Sequence, residues 1–399
     1  MSRLTQAALA ITLTTVTAAM PAIALGQAGE SLVLEEVTVT AQKRAESLQD
    51  VPVSITALTA ADIENQKIRE GAEIAASVPN LFATKVAGDG FPIYSLRGVS
   101  MSDFSYNQSS PVATYVDEVY KGNPAIQGVQ IFDLERIEVL RGPQGTLYGK
   151  NTTGGAINFI TAKPGHETEG YFSVGFGNYS RIESQGAYQT SLASDTLAMR
   201  IAYTWIDADG WMENGQPGVD DASAIGDFGA RLSFLWTPND DVEVLLRLFT
   251  GEVDAVNYGI QPFNISADGV GAGLYGLYSL LGASSQTDYF RSDDMGWWDF
   301  DSEQDTHRQI ENDAIALTVN WALNDTLTLT SISSWDDGDI FNPEDADGSP
   351  NQVVTPWYYA EADQYAQDLR ITSEYDGMFN FIAGAYYAKE EVYNQTTIG

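Results

Sequence analysis

Residues 135–164 read ERIEVLRGPQGTLYGKNTTGGAINFITAKP. An alternating strand, with Ile137 and Val139 set against Glu138 and Leu140, runs into Gly142, Gly145, Gly149, Gly154 and Gly155. An apolar strand from Ala156 to Ile160 follows. Glycines at this density allow positive φ and close backbone approach, at an entropic cost that an ordinary loop does not bear. Two nucleotide-binding readings fail on spacing. A phosphate-binding loop needs G-x-x-x-x-G-K-[ST], but Gly145 to Gly149 is one residue short and Asn151 follows Lys150. A dinucleotide fingerprint opens a helix, whereas the strand-like AINFI segment comes next here.

Upstream, from Gln49 to Pro164, the pattern is mixed α/β. Residues 52–58 alternate as a strand, and Thr59 followed by Asp62 has the form of a capping box at the start of a short helix. Residues 71–78 give a second short helix ended by Pro79, and strands are expected at 94–97, 113–116 and 137–140. Downstream of Pro164, segments of about ten residues alternate strictly. Leu197, Met199, Ile201, Tyr203 and Trp205 oppose Ala198, Arg200, Ala202 and Thr204, and the same style recurs at 232–236, 242–248, 315–321 and 379–387. Alternation alone fits a soluble sandwich as well as a membrane barrel. The connections decide between them. Tight turns at 193–195, 238–240, 324–325 and 376–377 alternate with long connections at 208–226, 254–312 and 337–360. Membrane barrels sort short periplasmic turns and longer outer loops in this way.

Composition agrees with export. Arg3 precedes an apolar run from Ala7 to Ala19, with Ala22-Ile23-Ala24 and Gly26-Gln27-Ala28 as cleavage sites, which is the form of a secretory signal peptide. The run falls short of the roughly 20 residues of a transmembrane helix. There is no cysteine, hence no disulfide, thiol nucleophile or Cys metal site, and the two histidines, His166 and His307, lie far apart. A net charge of −35 argues against nucleic acid as a partner.

The LRGP, LYG and GGAIN elements (140–143, 147–149 and 154–158) resemble the end of the plug domain of TonB-dependent outer-membrane receptors. The resemblance implies an α+β plug domain followed by an antiparallel transmembrane β-barrel. That barrel is incomplete in this chain, with about nine strands of the roughly 22 that such transporters have. The expected organisation is a signal peptide over 1–28, a periplasmic lead over 29–48, a plug over 49–164 and the N-terminal part of the barrel over 165–399. The chain is thus expected to be the N-terminal portion of a longer receptor and, by itself, not to close a channel. Localisation would be the outer membrane of a Gram-negative bacterium, in contact with lipid and inserted by the barrel assembly machinery.

Within the lead, Glu36, Val37, Thr38, Val39, Thr40 and Ala41 resemble the TonB box, an exposed segment that the periplasmic domain of TonB takes by strand addition. Given its closeness to the expected cleavage site, no extra signalling domain is expected before it. Arg97 and Arg141 match the family's plug arginines, which pair with barrel-wall glutamates; here those partners are expected on strands beyond the nine. Gly98, Gly142, Gly145, Gly149, Gly154 and Gly155 are read as structural, as is Asp117 in Tyr115-Val116-Asp117.

Ligand contact in the family comes from apical plug loops and barrel loops, which points to Asp89, Phe91, Phe104, Tyr106, Asn107, Trp297 and Trp298. Packing within the loops accounts for such aromatics equally well. The acidic run containing Asp293, Asp294, Asp299, Asp301, Glu303 and Asp305 has no EF-hand spacing and reads as a solvated loop more readily than as a Ca²⁺ site. No metal, cofactor or catalytic constellation is expected. The transported ligand is by default a ferric siderophore, although loops poor in Lys and Arg leave room for a saccharide, an aromatic compound or a corrinoid. A passive surface binder and a secreted hydrolase with paired carboxylates stand as alternatives of other classes.

Overall fold

In the computed structural model of the chain, the described residues are 37–85, 91–101, 105–127, 131–261, 296–346, 348 and 354–398. The first half contains β1 (Thr38–Val39), β2 (Glu46–Ser47), β3 (Ile55–Thr59), α1 (Ala60–Asn65), β4 (Leu81–Lys85), β5 (Pro92–Leu96), β6 (Val99–Ser100), β7 (Val112–Val116), β8 (Val119–Lys121), β9 (Leu134–Arg141), α2 (Gly145–Tyr148) and β10 (Gly155–Thr161). β9 and β10 are the two strands of the opening stretch. They pair antiparallel, with Ile137 opposite Phe159 and Val139 opposite Ile157. The sheet order is β3-β9-β10-β7-β8, with β10 and β7 parallel. β4, β5 and β6 form a second small sheet, and β1 pairs with β2.

Local signals account for the short elements. Thr59 accepts from the Asp62 amide at 3.2 Å while Asp62 accepts from the Thr59 amide at 2.9 Å, so two orphan donors at the start of α1 are satisfied reciprocally. Residues 71–76 tighten into a 3-10 turn. Ile74, Leu96, Ile137, Val139 and Ile157 meet in one buried cluster, each contributing about 1.5–3 kcal/mol of burial.

The second half is a nine-stranded antiparallel meander. It comprises β11 (Glu169–Phe176), β12 (Ile182–Ala193), β13 (Leu197–Ala208), β14 (Ile225–Asn239), β15 (Val242–Val256), β16 (His307–Asn324), β17 (Leu327–Pro343), β18 (Pro356–Ser373) and β19 (Ile382–Ile398). Its burial is inverted relative to a soluble sandwich. Ile201 (47% exposed), Trp236 (49%) and Trp321 (48%) face outward, whereas Ser233 (2%) and Gln364 (1%) are buried, Gln364 against the plug. Only a hydrocarbon surround makes such a surface favourable.

The later strands exceed the expected ten residues. β14 to β19 run 15–18 residues each, although about 9–11 suffice to cross the bilayer. The excess continues backbone pairing into water, so Asp337 and Asp339, expected in a connection, lie in β17. There Asp337 sits between Asp313 and Asp363 across the strands, and Asp339 between Glu311 and Glu361. Carboxylates side by side repel, and only water makes such rows tolerable, so they mark where the membrane ends. At the opposite end, Phe379 and Phe381 precede β19, in the turn after β18.

Candidate functional site

The lead segment is folded in, not exposed. β1 lies antiparallel to β2, Thr38 opposite Ser47, and Val39 (0% exposed) and Ala41 (1%) are buried in a cluster with Tyr115, Leu140, Tyr148 and Ala156. This corrects the expectation of an exposed strand at Val39 and Ala41; Val37 and Thr40 are half-buried, and Thr38 is exposed as expected. The apolar members, on the β-branched pattern that suggested a strand, gain more by packing on the plug than by facing water. Glu36 lies outside the described residues.

Three anchors hold the segment. The Thr40 amide donates to Glu138 Oε1 at 2.8 Å, and Arg136 Nε donates to the same oxygen at 2.8 Å. Lys43 Nζ meets Glu118 Oε2 at 3.0 Å and lies 4.7 Å from the Tyr148 ring centre. Arg44 Nη2 donates to the Phe381 carbonyl at 3.1 Å, so the segment reaches the turn between β18 and β19. Glu118 also pairs with Arg370 of β18, at 2.8 Å. Burial opposes its charge, but the two flanking cations more than offset that and hold the carboxyl below its ordinary range.

The plug and the wall are joined by charges of which the sequence reading singled out Asp117 alone. Asp133 accepts from Arg200 Nε at 2.8 Å and from Arg231 Nη2 at 3.4 Å. Asp117, which also accepts from the Thr161 amide at 2.9 Å, faces Arg247 Nε at 3.1 Å. Lys121 pairs with Asp336, and Gln364 donates to the Tyr120 carbonyl at 2.7 Å. A cavity of about 70 Å³ lies among Asp117, Lys121, Arg231, Arg247 and Asp336, far below the ~300–1,000 Å³ of a small-molecule site.

Arg97 and Arg141 do not make this connection. Arg97 (φ 53) and Gly98 (φ 79) are the two turn residues between β5 and β6, and Arg141 donates to the Ile55 carbonyl at 3.4 Å. Among the described residues neither meets a carboxylate, so the expected lock with barrel glutamates is not formed by these nine strands. The glycines divide. Gly155 (φ +152) would place a Cβ 2.3 Å from the Leu140 carbonyl oxygen, and Gly142 (φ +107) lies against Arg97. Gly149 takes a positive φ, Gly154 is crowded by Val112 and Val99, and Gly145 has neither constraint. A structural requirement at Gly145 is therefore corrected: it opens α2 in free space.

At the other end of the plug, Phe91 (7% exposed) and Tyr106 (6%) are buried with Ile126, Ile340 and Ala360. Their rings lie 5.5 Å apart, and Tyr106 is 6.3 Å from Tyr358 of β18. Two of the aromatics expected to meet ligand thus seal the plug against the wall, since their apolar area is worth more in that seam than in water. Asn107 remains exposed beside them. Trp297 (72%) and Trp298 (64%) are exposed, and Trp298 packs edge-on to Trp211 at 5.2 Å. Asp89 and Phe104 lie outside the described residues, as do Asp293 and Asp294. Among the described residues no group of three or more His, Asp or Glu is placed to hold a metal ion.

The signal for the missed residues was present. Arg200, Arg231 and Arg247 stand on the polar face of apolar-alternating strands, and a buried charge there demands a partner. What the sequence could not supply was the partner's identity, 67 positions away for Arg200 and 252 for Arg370.

Comparison with known proteins agrees with this architecture. Residues 47–156 match the family described as the TonB-dependent Receptor Plug Domain. The pesticin receptor of Yersinia pestis is 31% identical over 225 residues, covering 54% of this chain and 32% of that receptor. A probable TonB-dependent siderophore receptor of Acinetobacter baumannii is 24% identical over 360 residues, 86% of this chain and 44% of the relative. Among solved structures, the ferric yersiniabactin uptake receptor of Yersinia pestis superposes with a TM-score of 0.70 at 21% identity, over 87% of this chain and 50% of that one. The chain therefore spans about a third to a half of the length of these relatives. Residues 47–156 thus form a TonB-dependent receptor plug domain, seated inside an antiparallel sheet with the fold of the solved receptor.

Proposed function

We propose that this chain provides the plug and barrel strands of a Gram-negative outer-membrane receptor that imports a scarce extracellular ligand, a ferric siderophore, using energy delivered by TonB to residues 36–41. The observation that carries this reading is the pairing of a plug wedged into a lipid-facing sheet with a strand-forming segment held at the turn between β18 and β19. Relatives named as siderophore receptors support the ligand class. Export by the N-terminal signal peptide and insertion by the barrel assembly machinery belong to the same proposal. No bond is made or broken in such transport, so plug displacement, not acid–base chemistry, is the work to be done.

The test is deletion of residues 35–41 in the receptor as the cell makes it. Uptake of a radiolabelled ferric siderophore is expected to stop while surface binding persists. Uptake at the undeleted rate would overturn the proposal, and binding without energised uptake in the undeleted protein would support a passive binder instead. The exposed tryptophans 211, 297 and 298 favour a second ligand class, a neutral saccharide or aromatic compound that stacks on indole rings. Growth of a receptor-deletion strain complemented with this protein, on iron chelates against sugars and aromatic acids, separates the two.

A further inference from the structure

Strand addition needs a segment whose backbone donors and acceptors are free. Residues 37–43 do not offer one: the Leu48 amide donates to the Val37 carbonyl at 2.9 Å, and the Thr40 amide is taken by Glu138 at 2.8 Å. A partner can pair with this segment only after it leaves the plug, and the question is what holds it there.

We propose that Glu118 is a latch shared by the coupling segment and the barrel wall, and that the wall, through Arg370, keeps Lys43 and the segment behind it docked on the plug. This rests on the reading of residues 36–41 as the strand that TonB takes. Glu118 is the second residue of the turn between β7 and β8, where Asp117 (φ 48) and Glu118 (φ 70) are both left-handed. Such a conformation costs on the order of 1 kcal/mol per residue, so neighbouring contacts must hold it. They do so on both sides: Asp117 to Arg247 of β15, and Glu118 to Arg370 of β18. Lys43 is 6% exposed and depends on Glu118 for its charge partner. Loosening either wall contact removes the reason for the lysine to stay buried.

The same turn is wired to the far end of the plug. Only β8 and Gly122 separate Glu118 from Asn123, whose side chain donates to the Tyr106 carbonyl at 2.8 Å. Tyr106 belongs to the seam with Tyr358 of β18, the strand that also carries Arg370. A ligand that shifts this seam therefore acts on the latch through a strand of three residues. Coupling runs through packed and bonded groups and needs no unfolding of the plug.

The absence of cysteine makes the test clean. Ala41→Cys places a thiol at a buried point of the segment, and Ala125→Cys, equally buried in the distal seam, reports general unfolding. In membranes without ligand or TonB, both thiols are expected to resist a maleimide. Adding Glu118→Gln or Arg370→Gln is expected to raise labelling at position 41 by about tenfold or more, leaving position 125 protected. Glu118→Asp, which keeps the charge, is expected to restore part of the protection. Unchanged labelling at position 41, or equal labelling at both positions, overturns the latch. Because neither ligand nor TonB enters this measurement, its outcome is separate from that of the uptake test.

Discussion

Two carboxyls near opposite ends of the plug show how neighbours decide what the same side chain does. Glu118 is held ionised by Lys43 and Arg370. Glu344, just past the end of β17, accepts from the Asn342 side-chain amide at 3.2 Å, and burial pushes its pKa from 4.5 to about 7. The sign follows from proton counting. A carboxyl whose folded pKa is raised binds more protons folded than unfolded between pH 4.5 and about 7, so stability falls as pH rises through that window. Glu344→Gln is therefore expected to flatten the pH dependence of the seam formed by Tyr106 and Tyr358, and to raise its protection at pH 8. Hydrogen exchange of residues 105–108 at pH 5 and pH 8 measures it. An equal pH response in the variant would show that burial of Glu344 carries no such cost.

At the level of elements, the β9–α2–β10 unit combines features of very different legibility. Alternation announced β9, a short apolar run announced β10, and the Thr59 and Asp62 box announced α1, because these signals are local and their partners lie within a few residues. Glycine function was only partly legible, since composition shows that a glycine is present and not what surrounds it. Gly155 opposes Arg141 in the ladder and abuts the Leu140 carbonyl at 2.3 Å from its missing Cβ; Gly145 meets nothing within 4 Å. Gly155→Ala is expected to destabilise the plug by about 3 kcal/mol or more, through overpacking and an unfavourable φ. Gly145→Ala should be neutral or stabilise by a few tenths to about 1 kcal/mol, because it restricts only the unfolded chain. Proteolytic susceptibility of the plug in purified outer membranes compares the two directly, and equal effects would remove the geometric distinction. The fate of β1 was illegible for a different reason. Its β-branched alternation suits an exposed edge or a buried one, and only the distant residues Glu138, Tyr115 and Tyr148 decide between them.

For the molecule as a whole, the inverted surface and the buried charges are one design problem. A sheet that gives its apolar face to lipid must turn its polar face inward, and the plug has to satisfy what it finds there. Asp117, Glu118, Lys121 and Asp133 answer Arg247, Arg370, Asp336 and the pair Arg200 and Arg231. These contacts fix the plug in one register; their contribution to net stability is a separate matter, because desolvation of both ions offsets most of their attraction. The Lys121 and Asp336 pair, with side chains 8% and 1% exposed, distinguishes the two roles. Lys121→Met alone strands a buried carboxylate and is expected to cost about 3–5 kcal/mol of plug seating, whereas Lys121→Met with Asp336→Leu should recover most of that loss. Chemical denaturation followed by hydrogen exchange at residues 112–121 reports seating. If the double variant is as weak as the single one, the ion pair is itself a source of stability. If it recovers stability yet slows or abolishes uptake, the charges are there so that the plug can be released, since a water-compatible seam separates more readily than an apolar one when the plug is pulled.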